Sequence, residues 1–304
     1  MKKINYLITL LAIIMTISAC KKEDASNPTN ISSVKNQSQN IVKSAQSIMD
    51  NPVLVWSSSS QPNPSIVAPA IFYSPHQDDE TIGMGASIAE HVRAGRPVYV
   101  VLLTNGANTG MLAYLQTLNP NSTMQNVINA RNNEFIAACI ALGVHRIYIA
   151  NVGSGYDESI PFLTLKTDFK NTMSYMRNLF PSASHKTVSG NCDSYNPNCD
   201  KMPTHQAAAT AIHELYNTGV ITDIRLYRVY CYYWNYGTCD RCSSWFKPVS
   251  SSDKLRRQSA INQYKYVNTS IQRYGLAYWH SVSALFDNSW DSNYEYVDYI
   301  ENDY

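Results

Sequence analysis

Residues 68–80 read Ala68-Pro69-Ala70-Ile71-Phe72-Tyr73-Ser74-Pro75-His76-Gln77-Asp78-Asp79-Glu80, and this stretch decides the fold. The apolar run Ala68 to Tyr73 has the length and composition of a buried strand. It ends at Ser74-Pro75, and a helical stretch follows from Thr81 to Ala94, closed by Gly95. The alternation then repeats. Val98 to Leu103, just after Pro97, is rich in β-branched residues. Asn126 to Leu142, closed by Gly143, is a second helix, and Arg146 to Val152 is a third strand. Strand–helix–strand–helix–strand order predicts an α/β fold, a mostly parallel sheet with helices on both faces. Further helices are expected at Thr167 to Leu179, Thr204 to Tyr216 and Asp253 to Asn268. Strands are expected near Lys186 and at Asp223 to Tyr233.

In an open α/β sheet, ligands gather at the carboxyl ends of the strands, so the turn after Tyr73 is where a site belongs. His76, Asp78 and Asp79 place three potential metal ligands within four residues. Neutral imidazole and carboxylate suit Zn²⁺, which takes three protein ligands in a catalytic site and keeps a position for water. His76 and Asp79 can reach one ion, leaving Asp78 off the metal to accept a proton from the bound water. A third ligand must come from another strand end, and His205, opening the helix Thr204 to Tyr216, is the best-placed histidine. An Asp-rich turn capping a helix is the competing reading, and H-x-D-D alone does not separate the two.

The wider pattern does. Pro75-His76-Gln77-Asp78-Asp79-Glu80, then Gly83-Met84-Gly85-Ala86 and Arg93-Ala94-Gly95, resembles the PIG-L/LmbE-like de-N-acetylase family. The resemblance continues through Val98 to Asn105, Arg131-Asn132-Asn133-Glu134, Leu142-Gly143 and Pro203-Thr204-His205-Gln206, and more loosely at Lys254 to Tyr264. It spans roughly Ile66 to Tyr266. It implies a Rossmann-like fold, zinc held by His76, Asp79 and His205, and Asp78 as general base. The reaction it implies is metal-assisted removal of an acetyl group from an N-acetylated amino sugar or glycan.

Arg131 also stands out without the family. Ile128, Arg131, Phe135, Ala138 and Leu142 recur at helical spacing, which sets a guanidinium on an apolar stripe. A buried Arg must be paired: the resemblance implies substrate contact, and an internal ion pair with Glu134 or Glu80 is the alternative. The chain departs from the family's usual His-Pro-Asp-His, reading Met202-Pro203-Thr204-His205. Met202 cannot donate to an oxyanion, and Thr204 cannot be a carboxylate partner to a histidine. Loss of one oxyanion donor costs about 10²–10³ in rate where nothing substitutes. His280, in Tyr278-Trp279-His280-Ser281, is the candidate substitute, with a non-catalytic histidine as the alternative. His91, His145, His185 and His213 lie in or beside predicted elements and read as structural.

The chain has 304 residues and a formal charge of +1, which gives no electrostatic excess for binding nucleic acid. Met1 to Ala19 reads as a signal peptide ending in Ile17-Ser18-Ala19-Cys20, similar to a bacterial lipobox that acylates Cys20. Lys21-Lys22-Glu23-Asp24 resembles a surface-export signal, so an outer-membrane lipoprotein is expected, exposed at the cell surface or facing the periplasm. Removing Lys2 and Lys3 with the signal turns the balance to −1, which suits a neutral glycan. Residues 20–63, rich in Ser, Asn, Gln, Lys and Pro, read as a lipidated tether with one short helix around Ile41 to Met49, and residues 64–304 as one domain. Cys139 reads as a buried free thiol; Cys192–Cys199 and one bridge among Cys231, Cys239 and Cys242 are the expected disulfides. Tyr232-Tyr233-Trp234, Tyr236 and Tyr278-Trp279 offer flat faces to a sugar ring, or simply pack. Two other functions fit the pattern: a glycan-binding lipoprotein that has lost its chemistry, and a metal hydrolase of a non-sugar amide.

Overall fold

The computed structural model describes residues 51–152, 160–190, 202–232 and 246–298. Its ten strands within these residues are β1 (Val53–Ser57), β2 (Ala70–Ser74), β3 (Val98–Thr104), β4 (Arg146–Val152), β5 (Ser184–Val188), β6 (Ile224–Tyr227), β7 (Phe246–Pro248), β8 (Val267–Asn268), β9 (Arg273–Tyr274) and β10 (Tyr294–Asp298). The α-helices are α1 (Asp79–Ile82), α2 (Gly85–Arg93), α3 (Thr109–Leu118), α4 (Met124–Leu142), α5 (Phe162–Leu179), α6 (Pro203–Asn217), α7 (Ser251–Lys265) and α8 (Ser283–Asp291).

Eight strands form one sheet in the order β1-β4-β3-β2-β5-β6-β10-β7. The five central strands run parallel, and β1, β10 and β7 add antiparallel edges. The chain moves outward from β2 through β3 to β4, then returns to β5 on the other side of β2. That reversal makes the β2/β5 boundary the topological switch point of a Rossmann-like sheet. β2 and β3 are buried along their whole length, as strands covered on both faces must be. Alternate residues feed two cores. Phe72, Val100 and Leu102 pack with Ile88, Phe135 and Ile261 on one face. Ile71, Tyr73 and Val101 pack with Phe169, Met173 and Ile212 on the other.

The structure differs from the sequence expectations at three places. The helix expected from Thr81 to Ala94 is broken into α1 and α2 at Gly83-Met84. A Cβ on Gly83 would lie 2.7 Å from Val229 Cγ2, so the break brings the chain against that side chain. The tether boundary at residue 63 falls too late, because Val53–Ser57 pairs antiparallel with β4 as an edge strand. Val53-Leu54-Val55-Trp56 is short, and its partner is over 90 residues away, so local pattern does not reveal it. The expected strand from Asp223 to Tyr233 ends at Tyr227 and gives way to a 3₁₀ turn at Tyr230–Tyr232.

Cys20 and the signal, the helix around Ile41, Cys192, Cys199, Cys239, Cys242, Tyr233, Trp234 and Tyr236 lie outside the described residues. Cys139 is buried and free, and burial pushes its thiol well up. Among the described residues, no helix is long and apolar enough to cross a membrane.

Candidate metal centre

The switch point brings two sequence segments together. β2 runs straight into the turn carrying His76, Asp78 and Asp79, and α6, which follows β5, carries His205 in its first turn. The atoms that meet are His76 Nδ1, Asp79 Oδ2 and His205 Nε2. Their separations are 3.3 Å for His76–Asp79, 3.0 Å for His205–Asp79 and 3.2 Å between the two imidazoles. One ligand atom from each residue lies within 4.8 Å of the others. Bonds of about 2.0–2.2 Å to a tetrahedral zinc put its ligand atoms roughly 3.3–3.5 Å apart. The observed edges are within a few tenths of an ångström of that, so this N/N/O set fits a small divalent ion. Burial alone would raise Asp79, but the two imidazoles hold its carboxyl well below the usual carboxylate range. His76 N–H also donates to Asp79 Oδ2 at 2.9 Å, which fixes the carboxylate from its own turn.

Asp78 stands beside this set and outside it. Its backbone has φ 151° and ψ −31°, a conformation that L residues rarely adopt. Such a backbone costs about 1–3 kcal/mol and persists only where neighbours fix it. Here Glu80 Oε2 accepts the Asp78 N–H at 3.1 Å. Glu80 also accepts from the hydroxyls of Tyr264 at 2.8 Å and Thr81 at 2.6 Å, tying the turn to α7. Burial pushes Glu80 up to about 8. Arg131 grips the same turn from α4. It donates to the carbonyls of Gly106 at 3.0 Å and Gln77 at 3.2 Å, and its Nη2 lies 3.5 Å from Asp78 Oδ2. Burial, with Asp79 next to it, pushes Asp78 up to about 7, and the Arg131 guanidinium opposes that rise.

Arg131 therefore pairs with neither Glu134 nor Glu80. Glu134 is turned to another task, accepting the N–H groups of Tyr274 at 3.2 Å and Leu276 at 3.0 Å. Gln77 completes the frame by donating to Asn105 O at 3.1 Å and Asn132 Oδ1 at 2.9 Å. A Cβ on Gly106 would lie 2.0 Å from Gln77 Oε1, and Gly106 has φ 69°, so only glycine fits there.

His280 is not brought into this group. It is exposed, in a π-helical turn at Tyr278–Val282, with its ring stacked on Tyr114 of α3. The other histidines have structural partners or core positions: His145 Nδ1 accepts Val98 N–H at 3.0 Å, and His185 Nδ1 meets Tyr73 OH at 2.8 Å. His91 packs edge-on against Phe72, and His213 is buried in α6. Tyr232 and Tyr278 are buried and pack, while Trp279 is exposed.

Sequence reasoning missed two contacts. Tyr264 lies in the region of looser resemblance, and only its hydroxyl's contact with Glu80 shows its part. Thr204, read as a lost carboxylate, places its Oγ1 3.0 Å from His76 Nε2.

An N/N/O donor set at the switch point of an α/β sheet, with a separate carboxylate and a guanidinium beside it, is a layout suited to metal-assisted hydrolysis. Residues 71–216 match the family model of PIG-L, GlcNAc-PI de-N-acetylase, which places this segment in that family. No curated protein is similar enough to match it. Solved structures share the fold. The zinc-inhibited form of teicoplanin deacetylase Orf2 is 15% identical, with 73% of this chain and 90% of that chain covered at a TM-score of 0.52. The A40926 pseudoaglycone deacetylase Dbv21 is 18% identical, with 75% and 93% covered, also at 0.52. At these identities the likeness is one of fold.

Proposed function

We propose that this protein is a zinc-dependent de-N-acetylase that hydrolyses the acetamide of an N-acetylated amino sugar or glycan. The observation that carries the reading is the convergence of His76 Nδ1, Asp79 Oδ2 and His205 Nε2 beside Asp78. Family membership supports the reaction class. His76, Asp79 and His205 would hold the ion. When bound, Zn²⁺ supplies Lewis acidity toward the acetamide oxygen and brings the pKa of water near neutrality. Asp78 Oδ2 takes the proton of the attacking water and returns it to the departing amine. Arg131 holds Asp78 and the Gln77 carbonyl in place, so the base faces the reacting atoms in one orientation.

The test is acetate release from a panel of N-acetylglucosamine-containing sugars, with and without chelator, alongside Asp78→Ala. Chelator-sensitive release that Asp78→Ala abolishes supports the reading. Zinc-replete protein that releases no acetate from any member refutes it, and would favour the glycan-binding alternative raised by Met202. We also propose attachment to the outer membrane through acylated Cys20, with the catalytic domain at the cell surface. Metabolic labelling with palmitate, lost in Cys20→Ser, tests the anchor; surface proteolysis of intact cells tests the side.

A further inference from the structure

We infer that Thr204 is the positioning residue of the metal centre, holding His76 in the tautomer and ring orientation that turn Nδ1 toward the ion. The inference rests on the metal-binding part of the proposed function and not on its substrate. His76 Nδ1 faces the donor cluster, 3.3 Å from Asp79 Oδ2 and 3.2 Å from His205 Nε2. Its other ring nitrogen, Nε2, faces Thr204 Oγ1 at 3.0 Å. A histidine that gives one nitrogen to a metal carries its hydrogen on the other, and the acceptor of that hydrogen sets the ring's orientation. Nε2–H therefore donates to Oγ1. Thr204 is buried in the first turn of α6, next to His205. One turn of helix thus supplies a ligand and the group that orients a second ligand from another strand end.

The chemistry of the acceptor has a consequence. A carboxylate in this place would orient the imidazole and also raise its basicity. A hydroxyl is neutral, so it orients the ring and adds little charge. The departure at residue 204 therefore keeps the geometry of the centre and lowers its grip on the ion.

Zn²⁺ affinity, measured on the full chain by competition with a chromophoric chelator, tests this directly. Thr204→Val, which keeps the shape and loses the hydroxyl, should bind Zn²⁺ about 10–100-fold more weakly, with Thr204→Ser close to wild type. Thr204→Asp should bind more tightly than wild type. Folded Thr204→Val with wild-type affinity, or Thr204→Ser as weak as Thr204→Val, overturns the inference. A second measurement needs no variant: long-range ¹H–¹⁵N spectra of the Zn²⁺-loaded protein should show His76 Nε2 protonated and Nδ1 on the metal. The reverse assignment overturns it. Neither readout involves acetate, so failure of the deacetylase reading leaves both standing, and a tight site indifferent to residue 204 sinks this inference alone.

Discussion

Lys186→Met should make the protein more stable at neutral pH and remove a pH dependence that the wild type carries. Lys186 lies inside β5, only 3% exposed. Its Nζ donates to Ser184 Oγ at 2.5 Å and sits 5.5 Å from the centre of the Phe72 ring. Burial pushes its pKa down from 10.5 to about 7; Arg96 and Arg225 add to the fall, and Asp223 opposes it. His91, facing the same cations, is pushed down by burial to about 3 and stays neutral. The folded pKa lies below the unfolded one, so between about pH 7 and 10.5 the unfolded chain binds the extra proton. Stability therefore rises with pH through that window. Below about pH 7 both states are charged and the whole burial cost is present.

At roughly 1.4 kcal/mol per pH unit, the full cost is of order 5 kcal/mol, and about 2–3 kcal/mol is recovered between pH 7 and pH 9. Methionine keeps the apolar stem and loses one hydrogen bond and one ring contact, together about 1–2 kcal/mol. The net expectation at pH 7 is a gain of roughly 2–3 kcal/mol for the variant. Urea unfolding of both proteins across this range is the assay, and their difference cancels every other titrating group. The difference should shrink steadily as pH rises. A variant less stable than wild type at pH 7, or a difference independent of pH, refutes the reasoning.

The site makes three further predictions. Asp78→Asn should lower deacetylation by about 10²–10⁴ with zinc still bound, while Asp78→Gly should be equally slow yet about 1 kcal/mol more stable, because the φ of 151° no longer costs anything; turnover and urea midpoints read the two effects. Gly106→Ala should destabilise the protein by roughly 1–3 kcal/mol, since the new Cβ strikes Gln77 and the Arg131 contact at the Gly106 carbonyl must shift; thermal unfolding measures this. Glu134→Ala leaves the part-buried N–H of Tyr274 and the buried N–H of Leu276 without their acceptor and should cost about 1–3 kcal/mol, with hydrogen exchange quickening first at residues 274–277.

Much of the fold was legible because its signals are local. Residues 70–73 and 98–103 are continuous apolar runs, as central parallel strands require, and Gly143 closes α4 with φ 85° as a C-terminal glycine does. What stayed hidden depends on distant partners. β1 is a strand only because β4 offers it an edge, and the break at Gly83-Met84 falls where a Cβ would lie 2.7 Å from Val229 Cγ2, a contact that chain order does not show.

The same division runs through the site. Residue types and spacing around His76, Asp78 and Asp79, with His205 on a later helix, named candidate donors, and the family resemblance supplied the chemistry expected of them. Only the tertiary structure decided what those residues lean on. Arg131 could have paired with any of several acids, and packing of α4 against the turn chose Asp78. Thr204 looked like a missing carboxylate, and the approach of α6 to the turn after β2 set its Oγ1 3.0 Å from His76 Nε2. Sequence names the groups a reaction needs; the fold sets which of their atoms face one another, because hydrogen bonds and buried charges are settled by distances that chain order does not contain.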